Sequence, residues 1–229
     1  MPKNKILYTI DIENYKKLLE VNKNLNDASI MKGYMKNHFN FYGVKSEERK
    51  RLFKQCLAKA SHADETKICV RKLWKEPERE MQYAAMDLLD KSKKTLEIND
   101  LKYIEYLVVT KSWWDTVDHI ATHYLGSIMS KIEKTQQWEI CERWIKTENL
   151  WLQRCAILYQ LKYKDKTDFE IMKDCIWATL HNDNFFIRKA AGWALREYSK
   201  TRKHEVSMFF EEYGDLLSSL TKREGMKYL

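Results

Sequence analysis

The sequence predicts an all-α protein, an α-solenoid of paired helices with a concave basic groove. Three observations carry that prediction. Chain breakers are scarce, with two prolines (Pro2 and Pro77) and six glycines in 229 residues, while apolar residues recur at helical spacing throughout and no stretch reads convincingly as a strand. Four segments, 81–85, 117–121, 152–156 and 187–191, fall into one register, and their alanines at 85, 121, 156 and 191 are separated by 36, 35 and 35 residues. That period marks helix pairs that each cover the apolar face of the next, with small alanines, and Gly192 beside one of them, allowing close approach. The last third of the chain is basic: Arg188, Lys189, Arg196, Lys200, Arg202 and Lys203 face a single acid, Glu197, within sixteen residues.

The individual helices announce themselves by their starts and stops. Short polar or acidic side chains that can accept from free N–H groups of a first turn stand at Asp27, Ser46, Asp64, Ser112, Asn149 and Asp183 or Asn184, and Pro77 suits a first helical position behind Glu76. Gly43 and Gly214 are the expected stops. Ser112 followed by Asp115 has the spacing of a capping box, which gives Asp115 a structural task.

Composition narrows the class. Hydrophobic residues at 44% supply a core, and charged residues at 32% supply an ionised surface. The chain length suits one helical-repeat domain over residues 1–229. No apolar run is long enough to cross a bilayer and the N-terminus does not read as a signal peptide, so the cytoplasm is the default location. Five cysteines without a C-x-x-C pair argue for small buried side chains rather than a disulfide framework or zinc ribbon. A formal net charge of +8 favours a polyanionic partner. A concave groove of cationic side chains is suited to a nucleic-acid duplex, whereas a merely solvated lysine-rich face is the plainer alternative.

The stretch richest in chemistry is Ser112-Trp113-Trp114-Asp115-Thr116-Val117-Asp118. Positions four apart share a helix face, so Trp114 stands beside Asp118 while Trp113 and Asp115 point elsewhere. Asp118 therefore lacks the capping role open to Asp115. His119 and His123 are also four apart, a spacing that can hold zinc, but Ile120 occupies the place of the expected glutamate and no third ligand is evident. No metal and no small-molecule cofactor is expected.

Longer motifs make the reading specific. Residues 31–39 (MKGYMKNHF), 111–118 (KSWWDTVD), 150–164 (LWLQRCAILYQLKYK) and 185–198 (FFIRKAAGWALREY) closely resemble the AlkD-like family of DNA alkylation-repair proteins, in the same order, from about residue 25 to the C-terminus. The resemblance implies a HEAT-like helical-repeat DNA glycosylase that excises cationic alkylpurines such as 3-methyladenine and 7-methylguanine from duplex DNA. Carried across by position, it implies a catalytic carboxylate at Asp118, companion indoles at Trp114 and Trp193, and an arginine at Arg154. It also implies a lesion-proximal tyrosine at Tyr34 and phosphate-facing cations at Lys162, Lys164 and Arg196, with Arg188 and Lys189 in the same basic stretch. Residues 130–148 align poorly with the family and the first dozen residues do not match it.

The residue types suit that chemistry. A purine that already bears a positive charge is an activated leaving group, so the protein has to stabilise the developing sugar cation and hold a water, and a carboxylate does both. An indole face attracts a cation by about 0.5–2 kcal/mol. Arg154 has two possible roles, fixing a backbone phosphate or orienting Asp118. No lysine has the context of a nucleophile, so monofunctional hydrolysis by a monomer is expected. The other tryptophans, Trp74, Trp113, Trp138, Trp144, Trp151 and Trp177, read as packing. One geometric conflict stands: on straight helices aligned by their alanines, Trp114 and Asp118 lie on the order of 100° or more from Arg154 and Trp193. Two further readings are a non-catalytic DNA-binding paralogue and a HEAT-type protein-interaction scaffold.

Overall fold

A computed structural model describes residues 7–229. The chain is mostly helical and groups into two compact units, residues 1–95 and 96–229.

The first unit departs from the all-helical expectation at its start. Strands β1 (Leu7–Ile10) and β2 (Leu57–Ala60) pair antiparallel, Leu7 opposite Ala60 and Ile10 opposite Leu57. Four residues are too few for a two-residue period to declare itself, and strands so far apart in sequence have no hairpin turn to betray them. Helices α1 (Ile12–Val21), α2 (Leu25–Tyr34), α3 (Ser46–Gln55), α4 (Ala63–Lys75) and α5 (Arg79–Ser92) complete the unit. Leu73, Trp74, Met81, Ala85 and Leu88 are fully buried between α4 and α5, which also carry the small sheet. The helix starts shift from those expected. Asn24, not Asp27, caps α2, its side chain accepting from the Asp27 N–H at 3.0 Å. Lys45 and His62 precede α3 and α4 without a side-chain cap, and Pro77 lies outside α5, whose cap position is Glu78. Gly43 is no helix stop. It turns the chain at φ +84, and a Cβ there would lie 2.1 Å from the Asn24 carbonyl oxygen. Glu80 holds that loop by accepting from the N–H groups of Tyr42, Gly43 and Val44. Burial pushes the Glu80 carboxyl up, against the opposing effect of these donors.

The second unit contains α6 (Leu101–Val109), α7 (Trp114–His119), a π-helical turn (Ile120–Leu125), α8 (Gly126–Met129), α9 (Lys134–Lys146), α10 (Leu150–Leu158), α11 (Phe169–Ala178), α12 (Phe185–Ser199), α13 (Lys203–Tyr213) and α14 (Ser219–Gly225). Helix α10 is central, packing on α6, α7, α9, α11 and α12. Here two starts fall where expected: Asn149 caps α10 through Trp151 and Leu152, and Asn184 caps α12 through Phe186. Gly214 closes α13. Ala121, Ala156 and Ala191 are buried, as is Ala85 of the first unit. A Cβ on Gly192 would stand 2.6 Å from the Glu224 Cβ, so its absence lets α14 seat on α12. All five cysteines are free and buried. Trp74 and Trp144 are core residues, whereas Trp177 is 49% exposed, its ring against Tyr213, and does not belong with them. No helix among the described residues is long and apolar enough to cross a membrane.

Candidate active site around Asp118

Asp118 owes its position to how α7 begins. The expected capping box between Ser112 and Asp115 does not form. The Ser112 hydroxyl donates instead to the Val108 carbonyl at 2.6 Å, finishing α6, and Trp113 occupies the cap position of α7 with no side-chain capping bond. A serine beyond a helix end can close the previous helix as readily as open the next, and the short turn at Lys111 (φ +49) places it with the former. Helix α7 then runs for six residues and widens into the π-helical turn directly after Asp118 and His119. The Thr122 hydroxyl in that turn donates to the Asp118 carbonyl at 2.8 Å. Such π-bulges concentrate at functional sites, and apolar periodicity carries no signal for them.

The Asp118 carboxylate meets the buried guanidinium of Arg154 from α10. Arg154 Nε donates to Oδ1 at 2.6 Å and Nη2 to Oδ2 at 2.8 Å, a two-point fork. The third arm, Nη1, donates to the Phe186 carbonyl in the first turn of α12. The arginine side chain is 4% exposed and the aspartate side chain 17%, so the anion has the solvent access and its counter-ion does not. Helices α7, α10 and α12 are thereby joined at one point. The wheel conflict between Asp118 and Arg154 dissolves, because direct contact depends on how α7 and α10 cross rather than on their separate phases.

An aromatic wall supports the fork. Trp113, Trp151 and Phe186 meet with ring centroids 5.8, 5.3 and 5.0 Å apart, and the Arg154 guanidinium lies over the Phe186 ring at 5.8 Å. Trp113 and Trp151 are thus packing residues, as expected. Phe186 was not singled out in the sequence, and its only signal is a place in the first turn behind the Asn184 cap. Trp114 opens α7 and Trp193 lies in α12; both are half-buried, on helices that pack against α10.

The basic positions divide. Lys162 and Lys164 are exposed, Lys164 in a left-handed conformation at φ +57, and Arg188 is half-buried beside a cavity of about 160 Å³. Lys189 and Arg196 have a partner that their neighbours in sequence do not reveal: each reaches a Glu224 carboxylate oxygen at 2.8 Å. Lys227 joins them at 3.0 Å. The bonds from Lys189 and Lys227 outweigh the desolvation of Glu224 and hold its carboxyl down at about 2. Tyr34, the last residue of α2 in the first unit, is 67% exposed. The His119 and His123 rings stack at 4.1 Å, and no group of three metal-ligating side chains occurs among the described residues.

Fold and site together define a mostly helical protein whose central helix braces a solvent-accessible carboxylate. The chain belongs to the DNA alkylation repair enzyme family, whose model it matches over residues 15–229. It is similar to a solved structure described as a predicted DNA alkylation repair enzyme from Enterococcus faecalis, with 33% identity, 90% of this chain and 96% of that chain covered, and a TM-score of 0.80. No curated protein matches the chain.

Proposed function

We propose that the protein is a monofunctional DNA glycosylase that hydrolyses the N-glycosidic bond of cationic alkylpurines, such as 3-methyladenine and 7-methylguanine, in duplex DNA. The observation that carries this reading is the two-point hold of Arg154 on a carboxylate that still has solvent access. Loss of an already cationic purine neutralises the departing ring, so no general acid is required. Each Asp118 oxygen retains a second acceptor position, available to a water or to the electron-poor sugar. A fixed anion placed where positive charge develops lowers the barrier without having to reorganise. Of the two roles open to Arg154, orienting Asp118 is the one its burial supports, because all three arms of its fork are occupied within the protein.

In this reading Trp114 and Trp193 offer π-faces to the cationic base or sugar. Lys162, Lys164 and Arg188 supply the salt-dependent attraction to phosphates, with Lys189 and Arg196 adding to the field while they anchor Glu224. Tyr34 offers an exposed ring to DNA. The burial of all four repeated alanines supports HEAT-like pairing of the helices.

The test is release of free methylated base from methylated duplex DNA. Asp118→Asn is expected to slow release by about a hundredfold or more while leaving DNA affinity within about twofold. Salt-sensitive DNA binding without release would make the protein a non-catalytic DNA-binding paralogue. Weak, salt-insensitive binding would favour a protein-interaction scaffold.

A further inference from the structure

Helix α2 buries none of its own residues; Met35, directly after it, is buried. A helix with no residue in a core is held by its bonds to neighbouring segments, and for α2 these include the loop at 40–45. The Asn24 N–H at its cap donates to the Tyr42 carbonyl at 3.0 Å, Lys32 Nζ donates to Asn40 Oδ1 at 3.1 Å, and Lys45 pairs with Asp27 at 3.1 Å. Gly43 packs against the first turn of the helix, where a Cβ would stand 2.6 Å from the Ala28 nitrogen.

The loop is gripped in turn by two buried residues in the first turn of α5. The Arg79 N–H donates to the Asn40 carbonyl at 2.9 Å, and its guanidinium lies over the Phe39 ring at 3.7 Å. Glu80 spreads its carboxylate over three consecutive amides: Oε1 accepts from Gly43 at 2.9 Å and from Val44 at 3.3 Å, and Oε2 from Tyr42 at 3.2 Å. An acceptor-only group that engages three N–H donors in a row fixes the backbone that carries them, including the left-handed turn at Gly43. The residues that tie the loop to α2 are these same ones or lie within two positions of them.

We infer that Glu80 is a positioning residue for duplex binding: through the 40–45 loop it sets where α2 presents Tyr34, its last and exposed residue, to the DNA. Buried as it is, Glu80 acts only through the helix it holds. The inference rests on the proposed function for DNA as the partner and for Tyr34 as a residue that meets it; it does not need base excision. Glu80→Gln keeps the size of the side chain and one carbonyl oxygen, but its NH₂ group then faces an N–H donor, so at least one of the three amides loses its acceptor.

The experiment is a double-mutant cycle on the full chain, read as affinity for undamaged duplex by fluorescence anisotropy and as kcat and KM for base release from methylated duplex. Glu80→Gln is expected to weaken duplex binding and raise KM about fivefold with kcat within about twofold, and Tyr34→Ala to weaken binding about tenfold. In the Tyr34→Ala background, Glu80→Gln is expected to add less than about twofold, because the ring that it aims is gone. Asn40→Ala cuts the tie to Lys32 on an exposed part of the loop and leaves Glu80 and the net charge in place. It is expected to weaken binding about threefold, again only while Tyr34 is present, and it carries the test should Glu80→Gln fail to fold. Losses that multiply with that of Tyr34→Ala overturn the inference, as does wild-type affinity in a folded Glu80→Gln or in Tyr34→Ala. Coupled losses of affinity without any base release leave this inference standing and remove the glycosylase reading, while base release with multiplying losses does the reverse.

Discussion

Arg154 holds both oxygens of Asp118, across a gap of thirty-six residues in sequence, and reaches the Phe186 carbonyl with its remaining arm. The fork ties α10 to α7 while it holds the acid. Fixing the anion and fixing the packing are the same contact.

Arg154→Lys separates charge from geometry. A lysine keeps the positive charge but cannot make the planar two-point contact. Base release is expected to fall by roughly ten- to a hundredfold in kcat with KM little changed, since the loss is in aim rather than in substrate binding. Arg154→Ala leaves a carboxylate without its counter-ion in a largely buried setting and is expected to cost about 3–5 kcal/mol of stability, measured by urea unfolding. An Arg154→Lys enzyme as active as wild type would show that orientation of Asp118 is not limiting.

Glu224 makes the packing of α14 depend on acid pH. Its carboxyl is lowered from 4.5 to about 2 in the folded protein. A depressed folded value means that the stabilisation is complete above the unfolded value and disappears as pH falls through the folded one. Stability should therefore fall between about pH 4.5 and about pH 2 through this group. Glu224→Gln should remove that component and lower stability at neutral pH by about 2–3 kcal/mol, seen as a lower Tm in a thermal melt. Equal acid sensitivity in the two proteins would assign the acid transition to other carboxylates.

Two glycines in helices should respond oppositely to alanine. At Gly192 the added methyl meets the Thr221 backbone oxygen at 2.8 Å as well as Glu224, so Gly192→Ala should destabilise by about 1–3 kcal/mol. At Gly33 in α2 nothing lies within 4 Å, and Gly33→Ala should stabilise by up to about 1 kcal/mol through backbone entropy alone. Denaturation midpoints of the two variants test the contrast directly.

Removing a phosphate contact should change salt dependence before it changes chemistry. Lys162→Met is expected to reduce the slope of log affinity against log salt by about one and to weaken duplex binding uniformly across sequences. An unchanged slope would place Lys162 away from the bound DNA.

Much of this protein is legible along the chain itself. Helical content, the buried alanines at 85, 121, 156 and 191, the caps at Asn149 and Asn184, and the buried cysteines all follow from spacing and from side chains that interact with near neighbours. Asp118 and Arg154 were identifiable because the motifs that contain them, residues 111–118 and 150–164, resemble those of a known family. What only tertiary structure decided are meetings between distant segments. Strands β1 and β2 pair across three helices, Lys189 and Arg196 turn to Glu224, and Ser112 bonds back to α6 instead of capping α7. The contact of Lys162 Nζ with His123 Nε2 at 2.8 Å likewise joins segments thirty-nine residues apart. Periodicity reports which face of a helix is buried, but the partner that a charged side chain finds depends on distances between helices, and those exist only once the chain has packed.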